Sequence, residues 1–154
     1  MDTLKVQDES GRYLPIMYKE EMPFWEGAQA SKLLLPKCSN CGKTWYPVGP
    51  VCPFCLSSEY QFEEMSGRGH ISSYVIYHKA FAPWLESQVP YAVAQVELEE
   101  GPRLTTNIVG LDPEAIRIGL PVRAVFEKVT AVVTLIKFRE LVESDSTKPV
   151  EDVP

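Results

Sequence analysis

Four cysteines near the middle of the chain have the spacing of ligands for a single metal ion. Cys38 and Cys41 form one C-x2-C pair, Cys52 and Cys55 form another, and ten residues separate the pairs. A two-residue gap lets both sulfurs of a pair face one ion, and two such pairs complete the tetrahedron of structural zinc sites. The same ligands can hold iron. The spacing therefore predicts a structural metal, with zinc favoured over iron and no open position for catalysis.

The residues around these cysteines predict short hairpins wrapped around the metal. Gly42 follows Cys41, where a knuckle bends tightly and a positive φ suits glycine. Lys37 and Lys43 flank the first pair and would offset part of the negative charge of four thiolates. About thirty residues are too few to fold by apolar burial alone, so the metal is expected to hold this segment together.

Composition and charge favour a cytoplasmic protein that binds neither membranes nor nucleic acid. The N-terminus has no signal-like apolar segment, and no apolar run approaches the roughly 18–20 residues that span a bilayer. Cytoplasmic cysteines are kept reduced, which favours a metal over disulfides. The formal net charge is -6, whereas proteins that bind nucleic acid usually carry a basic surplus.

No catalytic set is recognisable among the remaining residues. The sequence contains no P-loop, dinucleotide-binding glycine fingerprint, nucleophile elbow or HExxH motif. The two histidines, His70 and His78, fall in one predicted strand, and their even spacing predicts that they point to the same face. We therefore assign no catalytic residue.

A connecting segment, residues 80–90, is unusually apolar and is the second candidate site. It contains Phe81, Trp84 and Leu85, although connecting loops are normally exposed and polar. Such a loop is either a lid over the core or a docking surface. We predict a partner or ligand surface made of these three residues and Tyr91, which begins the next strand.

The elements that position these sites are mainly β. A short helix is predicted over residues 20–30, with Pro23 in its first turn and Phe24, Trp25 and Ala28 on its buried side. A second helix is predicted from the N-cap Asp112 to Gly119. Strands are predicted at residues 70–78, 91–98, 103–109, 121–128 and 132–139. Five antiparallel strands with a helix after the third predict a five-stranded OB-fold barrel, and an open sandwich is the alternative.

These expectations divide the chain into four parts. Residues 1–32 form an N-terminal helical segment, residues 33–66 the zinc ribbon, and residues 67–141 the OB-fold. Residues 142–154 are acidic and poor in large apolar side chains, so we expect a disordered tail there.

The order of motifs resembles the acyl-CoA-associated zinc-ribbon/OB-fold family, long catalogued as a domain of unknown function. The resemblance spans about residues 20–140. It rests on the cysteine region and on three later motifs: Ser-Gly-Arg-Gly at 66–69, Pro-Tyr-Ala-Val-Ala-Gln-Val at 90–96, and Ile-Gly-Leu-Pro-Val at 118–122.

The resemblance implies a rubredoxin-like zinc ribbon and an OB-fold in a small partner of thiolase-superfamily enzymes, aldolases or enoyl-CoA hydratases. The small subunit of such complexes is generally not the catalyst. This implies a non-catalytic accessory subunit, with a thiolase-like enzyme as the leading partner and a CoA thioester at the shared interface. The alternative is a ribbon/OB module that binds single-stranded nucleic acid, which the acidic charge disfavours.

Overall fold

A computed structural model of the chain describes residues 7–142 and the backbone of residues 152–153. Its elements are helix α1 (Met22–Gln29) and the strands β1 (Leu34–Cys38), β2 (Tyr60–Glu64), β3 (Arg68–Tyr77), β4 (Tyr91–Leu98), β5 (Arg103–Ile108), β6 (Pro121–Lys128), β7 (Thr134–Glu140) and β8 (Asp152–Val153). The expected tail disorder falls mostly outside the described residues. Within residues 7–142, no helix has the length and apolar character needed to cross a membrane.

The N-terminal helix forms where the sequence predicts it. A 3-10 turn at Lys19–Glu21 leads into α1, and Pro23 lies in the first helical turn. Phe24 and Ala28 are buried, while Trp25 is half-buried. Gly27 is also buried. A Cβ at this position would lie only 2.6 Å from the Cγ of Leu34 on β1. The glycine therefore lets the helix pack closely on the ribbon.

The C-terminal strands close into the predicted five-stranded barrel. Antiparallel pairs join β3 to β4, β4 to β5, β7 to β6 and β6 to β3, and one parallel bridge, Ile108 to Phe138, joins β5 to β7. Alternate residues of β4 point inward, and Ala92, Ala94 and Val96 are buried. The apolar alternation predicted from the sequence thus faces the barrel interior. The short strand β8 lies parallel to β6.

The predicted helix over residues 112–119 is wrong: a three-residue 3-10 turn, Pro113–Ala115, takes its place. The cap itself is confirmed, since the Glu114 N–H donates to Asp112 Oδ1 at 2.9 Å. Ile116 leaves the helical region with φ -73 and ψ 132, and its side chain is buried in the core. Extended backbone at Ile116 therefore ends the helix early and directs this side chain into the barrel.

The prediction that the two histidines share a face is also wrong. A β-bulge between Ile71 and Ser73 adds one residue to β3 and reverses its alternation beyond that point. His70 pairs with Glu97, whereas His78 lies beyond the last residue of the strand. Both histidines are exposed.

Candidate metal centre and docking surface

Two knuckles with the same backbone hydrogen bonds bring the cysteines together. In the first knuckle the Gly42 N–H donates to the Cys38 carbonyl at 2.9 Å, and in the second the Leu56 N–H donates to the Cys52 carbonyl at 2.9 Å. The first cysteine of each pair also donates its N–H, to the carbonyl of Lys43 or of Ser57. Each C-x2-C pair therefore folds as a tight turn with its two sulfurs on one side.

Each knuckle needs one residue in the left-handed region. Gly42 has φ +71, as the sequence predicts, and Leu56 occupies the equivalent position of the second knuckle with φ +61. A glycine adopts this conformation without steric cost, whereas for a leucine it is energetically unfavourable. The Leu56 side chain is 76% exposed, so the backbone turn rather than side-chain burial accounts for this conformation.

The four sulfurs have the arrangement of a tetrahedral metal site. All four Sγ atoms lie within 4.8 Å of one another. The Cys38 and Cys55 sulfurs are 3.5 Å apart, and those of Cys41 and Cys52 are 3.6 Å apart. A tetrahedral ion with metal–sulfur bonds of about 2.3 Å places its ligands roughly 3.8 Å apart. The residues therefore fit a metal ion with four thiolate ligands.

Hydrogen-bond donors around the sulfurs stabilise thiolate. The backbone N–H of Ser57 and the side-chain amide of Asn40 lower the pKa of Cys55 to about 6. At Cys41 the backbone N–H of Lys43 also lowers the pKa. Desolvation and the neighbouring thiols outweigh this effect and raise the pKa of Cys41 to about 11. A cation in the centre of the cluster would favour the thiolate form of the cysteines.

A small aromatic core supports this centre. Trp45 is 4% exposed and packs with the buried Cys38 and Cys52. Its ring meets that of Tyr60 edge-on, with 5.3 Å between centroids. The Nε1–H of Trp45 is buried without a hydrogen-bond partner among the described residues.

The two lysines beside the first pair have other contacts. Lys37 Nζ lies 2.9 Å from a carboxylate oxygen of Glu63. Lys43 Nζ lies 4.5 Å from the centroid of the Phe54 ring, which is 55% exposed. Both ammonium groups therefore remain near the ribbon surface, paired with a carboxylate or an aromatic ring.

The apolar loop presents its aromatic residues in two directions. Phe81 is 70% exposed and meets Tyr77 edge-on at 6.0 Å between centroids. Tyr77 in turn stacks on Tyr91 with 5.1 Å between centroids and 12° between planes. Trp84 and Leu85, which lie in a 3-10 turn, are half-buried and line a cavity instead.

Trp84, Leu85 and Tyr91 line a cavity of about 600 Å³ together with Arg12 and Lys137. The Arg12 guanidinium lies over the Trp84 ring, 5.1 Å from its centroid. The structure therefore brings together three of the four predicted surface residues, while Phe81 remains exposed beside them.

A shared carboxylate holds the two cations of this cavity. Arg12 Nη1 donates to Glu127 Oε1 at 3.0 Å, and Lys137 pairs with the other oxygen of Glu127. Burial raises the pKa of Glu127, but the hydrogen bonds and charges of Lys137 and Arg12 outweigh it and lower the pKa below its usual value. No local sequence motif connects these three residues, so none of them was predicted as a site residue.

Comparison with known proteins identifies the family. Residues 25–61 match the model described as the ChsH2 rubredoxin-like zinc ribbon domain, and residues 62–127 match the ChsH2 C-terminal OB-fold domain. A DUF35 domain-containing scaffold protein of Methanothermobacter thermautotrophicus is 42% identical over 95 residues, which cover 60% of this chain and 70% of that protein. The chain belongs to the DUF35 (ChsH2) family.

Two further similarities are to a protein named as an enzyme subunit and to a chain of a solved structure. A probable enoyl-CoA hydratase alpha subunit of Thermomonospora curvata is 35% identical over 133 residues, covering 86% of this chain. The match spans 41% of that longer subunit. A chain of the solved structure of the Ltp2-ChsH2(DUF35) aldolase matches with a TM-score of 0.76 and 36% identity, covering 84% of this chain and all of that one.

Proposed function

We propose that this DUF35 protein is a non-catalytic subunit of an acyl-CoA-processing complex. A thiolase-superfamily enzyme is the leading candidate partner, and a hydratase or aldolase is the alternative. The names of its relatives support the subunit role, since they describe a scaffold protein and a hydratase alpha subunit. The solved structure that it resembles is that of an aldolase containing ChsH2.

The exposed aromatic loop is the observation that carries this proposal. Phe81 is 70% exposed, and Trp84 and Leu85 next to it form one wall of a cavity. Aromatic side chains that enter a partner's pocket dominate the energetics of protein interfaces. We therefore propose that this loop docks on the partner enzyme, with Phe81 as the inserted side chain.

The cavity behind the loop supports a contact with the CoA thioester at the shared interface. Arg12 and Lys137 place two cationic groups in its wall, and Glu127 balances one of them. Trp84 and Tyr91 add aromatic surface to the same wall. Phosphates prefer guanidinium and ammonium partners, and nucleotide bases stack on aromatic rings. This combination suits part of a CoA molecule.

We infer that the metal held by Cys38, Cys41, Cys52 and Cys55 is zinc and that its role is structural. Bound zinc would supply the energy that holds the two knuckles together. Four sulfur ligands leave no position for a substrate or water. Elemental analysis of protein purified without chelator should find about one zinc per chain; finding iron instead would contradict this assignment.

Purification of the tagged chain from its native cells, followed by mass spectrometry, tests the proposed complex. We expect an acyl-CoA-processing enzyme to co-purify in a fixed ratio. Phe81→Ala should weaken the complex by roughly tenfold or more, since a truncated aromatic anchor costs about 2 kcal/mol. Phe54→Ala, which removes an exposed aromatic ring from the ribbon, is the matched control and should retain affinity.

Trp84→Ala separates docking from a lid role. If the loop docks, this variant should bind the partner more weakly while its melting temperature changes by only a few degrees. If the loop covers the chain's own core, the melting temperature should fall and the partner affinity of the folded fraction should persist. Turnover of an acyl-CoA by the pure chain, abolished by a point substitution, would contradict the non-catalytic role.

A further inference from the structure

Within the described part of the chain, one edge of β3 has a neighbouring strand along only part of its length. On one side β4 pairs with β3 from Gly69 to Tyr77, while on the other side β6 pairs only with residues 68–70. Ile71 is bonded to the loop before β6, with its N–H donating to the Leu120 carbonyl at 3.1 Å. Among the described residues, no strand pairs with residues 72–77 on this side. We refer to residues 72–77 of β3 as the open edge.

The sequence of the open edge lacks the charged residues and the proline that commonly protect such an edge. An exposed strand edge is a template for pairing with another chain, and proteins usually block it with charged residues or proline. Residues 72–77 read Ser-Ser-Tyr-Val-Ile-Tyr, with neither. A β-bulge lies at the start of this segment, just after the residues that pair with β6. The remaining backbone groups of the edge are therefore suited to pairing with another strand.

The side chains of the open edge are accessible and continue into the docking loop. Val75 is 52% exposed, and Tyr74 and Tyr77 are each 36% exposed. Tyr77 contacts Phe81, the most exposed aromatic residue of the loop. An occupant of the edge would therefore meet the proposed docking surface without a break.

Charge distinguishes between a second copy of this chain and a different partner. Residues 65–85 contain Arg68 and Lys79 but no Asp or Glu, although the chain as a whole carries -6. Antiparallel pairing of two copies about the middle of the open edge would place Lys79 opposite His70. His70 carries no negative charge that would attract Lys79, whereas opposite charges across a strand pair stabilise it. The edge therefore favours a strand with an acidic residue that meets Lys79.

We propose that the open edge binds an extended segment of the partner enzyme as an added antiparallel β-strand. The segment has apolar residues against Tyr74, Val75 and Tyr77 and an acidic residue against Lys79. Main-chain hydrogen bonds provide affinity in this mode of recognition, and alternate side chains provide specificity. The inference rests on the proposed function for the identity of the partner.

Hydrogen exchange measured by mass spectrometry, on the isolated chain and on the complex purified from native cells, tests this inference. Amides of the open edge that point away from β4 should exchange at least about tenfold more slowly in the complex. Val75→Lys places a charge on the edge and should weaken the complex by about tenfold or more, whereas Val75→Thr keeps a β-branched side chain and should not. Lys79→Glu should weaken the complex, and Lys79→Arg should not.

Four outcomes would overturn the inference, and they separate it from the proposed function. An enzyme that co-purifies but leaves the open edge unprotected contradicts strand addition alone and preserves the subunit role. If the proteins that co-purify include no acyl-CoA-processing enzyme, both strand addition and the subunit role are contradicted. A homodimer whose edge is protected shows that a second copy is the occupant. Slow exchange of the same amides in the isolated monomer shows that the chain's own ends cover the edge.

Discussion

The ribbon and the barrel are ordered by different forces. The buried cluster around the cysteines consists of Cys38, Trp45 and Cys52, with two half-buried residues packed against it. The barrel is filled instead by aliphatic and aromatic side chains from every barrel strand, in a cluster that also includes Phe24 of the helix and Leu33, Leu35 and Met65 of the ribbon segment. Around the cysteines, four sulfurs and the proposed ion would therefore supply the order that apolar burial supplies in the barrel. Each region should be sensitive to a change that the other tolerates.

Removal of one sulfur should have the largest effect and should be confined to the ribbon. Cys52→Ser leaves three ligands, and structural zinc binding is worth roughly 10–16 kcal/mol in small ribbon-like peptides. We expect loss of the metal and of amide protection at residues 38–57, while β4 and β5 keep theirs. Ser39→Ala, which alters an exposed residue that supplies no sulfur, is the control. Simultaneous loss of protection in the barrel would show that the two regions unfold together.

A methyl group added between two barrel strands should destabilise the barrel and leave the metal site unchanged. A Cβ at Gly69 would lie 2.3 Å from the Glu97 carbonyl oxygen, so β3 and β4 would have to separate. Gly69→Ala should lower the free energy of unfolding of the barrel by about 2 kcal/mol or more, as overpacking of tightly packed sites does. Metal content should stay the same.

Gly49→Ala is the matched control for this substitution. Among residues 7–142, no heavy atom other than those of its chain neighbours lies within 4 Å of a Cβ at Gly49, so the free energy of unfolding should change little. Denaturant unfolding of both variants, with zinc measured in parallel, distinguishes them. Equal effects of the two substitutions would mean that close packing at Gly69 is not important for barrel stability.

The smallest expected effect comes from the difference between the two knuckles. Leu56 adopts a positive φ, which costs a leucine roughly 1–2 kcal/mol. A glycine would avoid this cost, but the greater freedom of its unfolded chain would offset part of the gain. Leu56→Gly should therefore tighten metal binding by about two- to fivefold, or about 0.5–1 kcal/mol. Competition with a chelator measures this change. Gly42→Ala should weaken binding to a similar degree, and tighter binding by Gly42→Ala would contradict the argument.

Local signals explain why much of the molecule could be predicted. The ligands of each cysteine pair are three residues apart, so their spacing alone indicates how the sulfurs meet. Alternation of apolar residues in β4 directly predicted which side chains face the core. The failures occurred where a distant contact overrode the local pattern. Ile116 left the predicted helix to enter the barrel, and the bulge after Ile71 changed the face of every later residue of β3.

The sequence by itself determined the four cysteines that could hold a metal, the order of the strands and the apolar nature of the loop after β3. Only the tertiary structure decided what surrounds that loop. Arg12 and Glu127 are 115 positions apart in the chain, yet their ion pair borders the cavity beside Trp84. The open edge of β3 likewise depends on where β6 stops pairing with it. Both features depend on contacts between residues that are distant in the chain, and no local pattern of residues encodes such contacts.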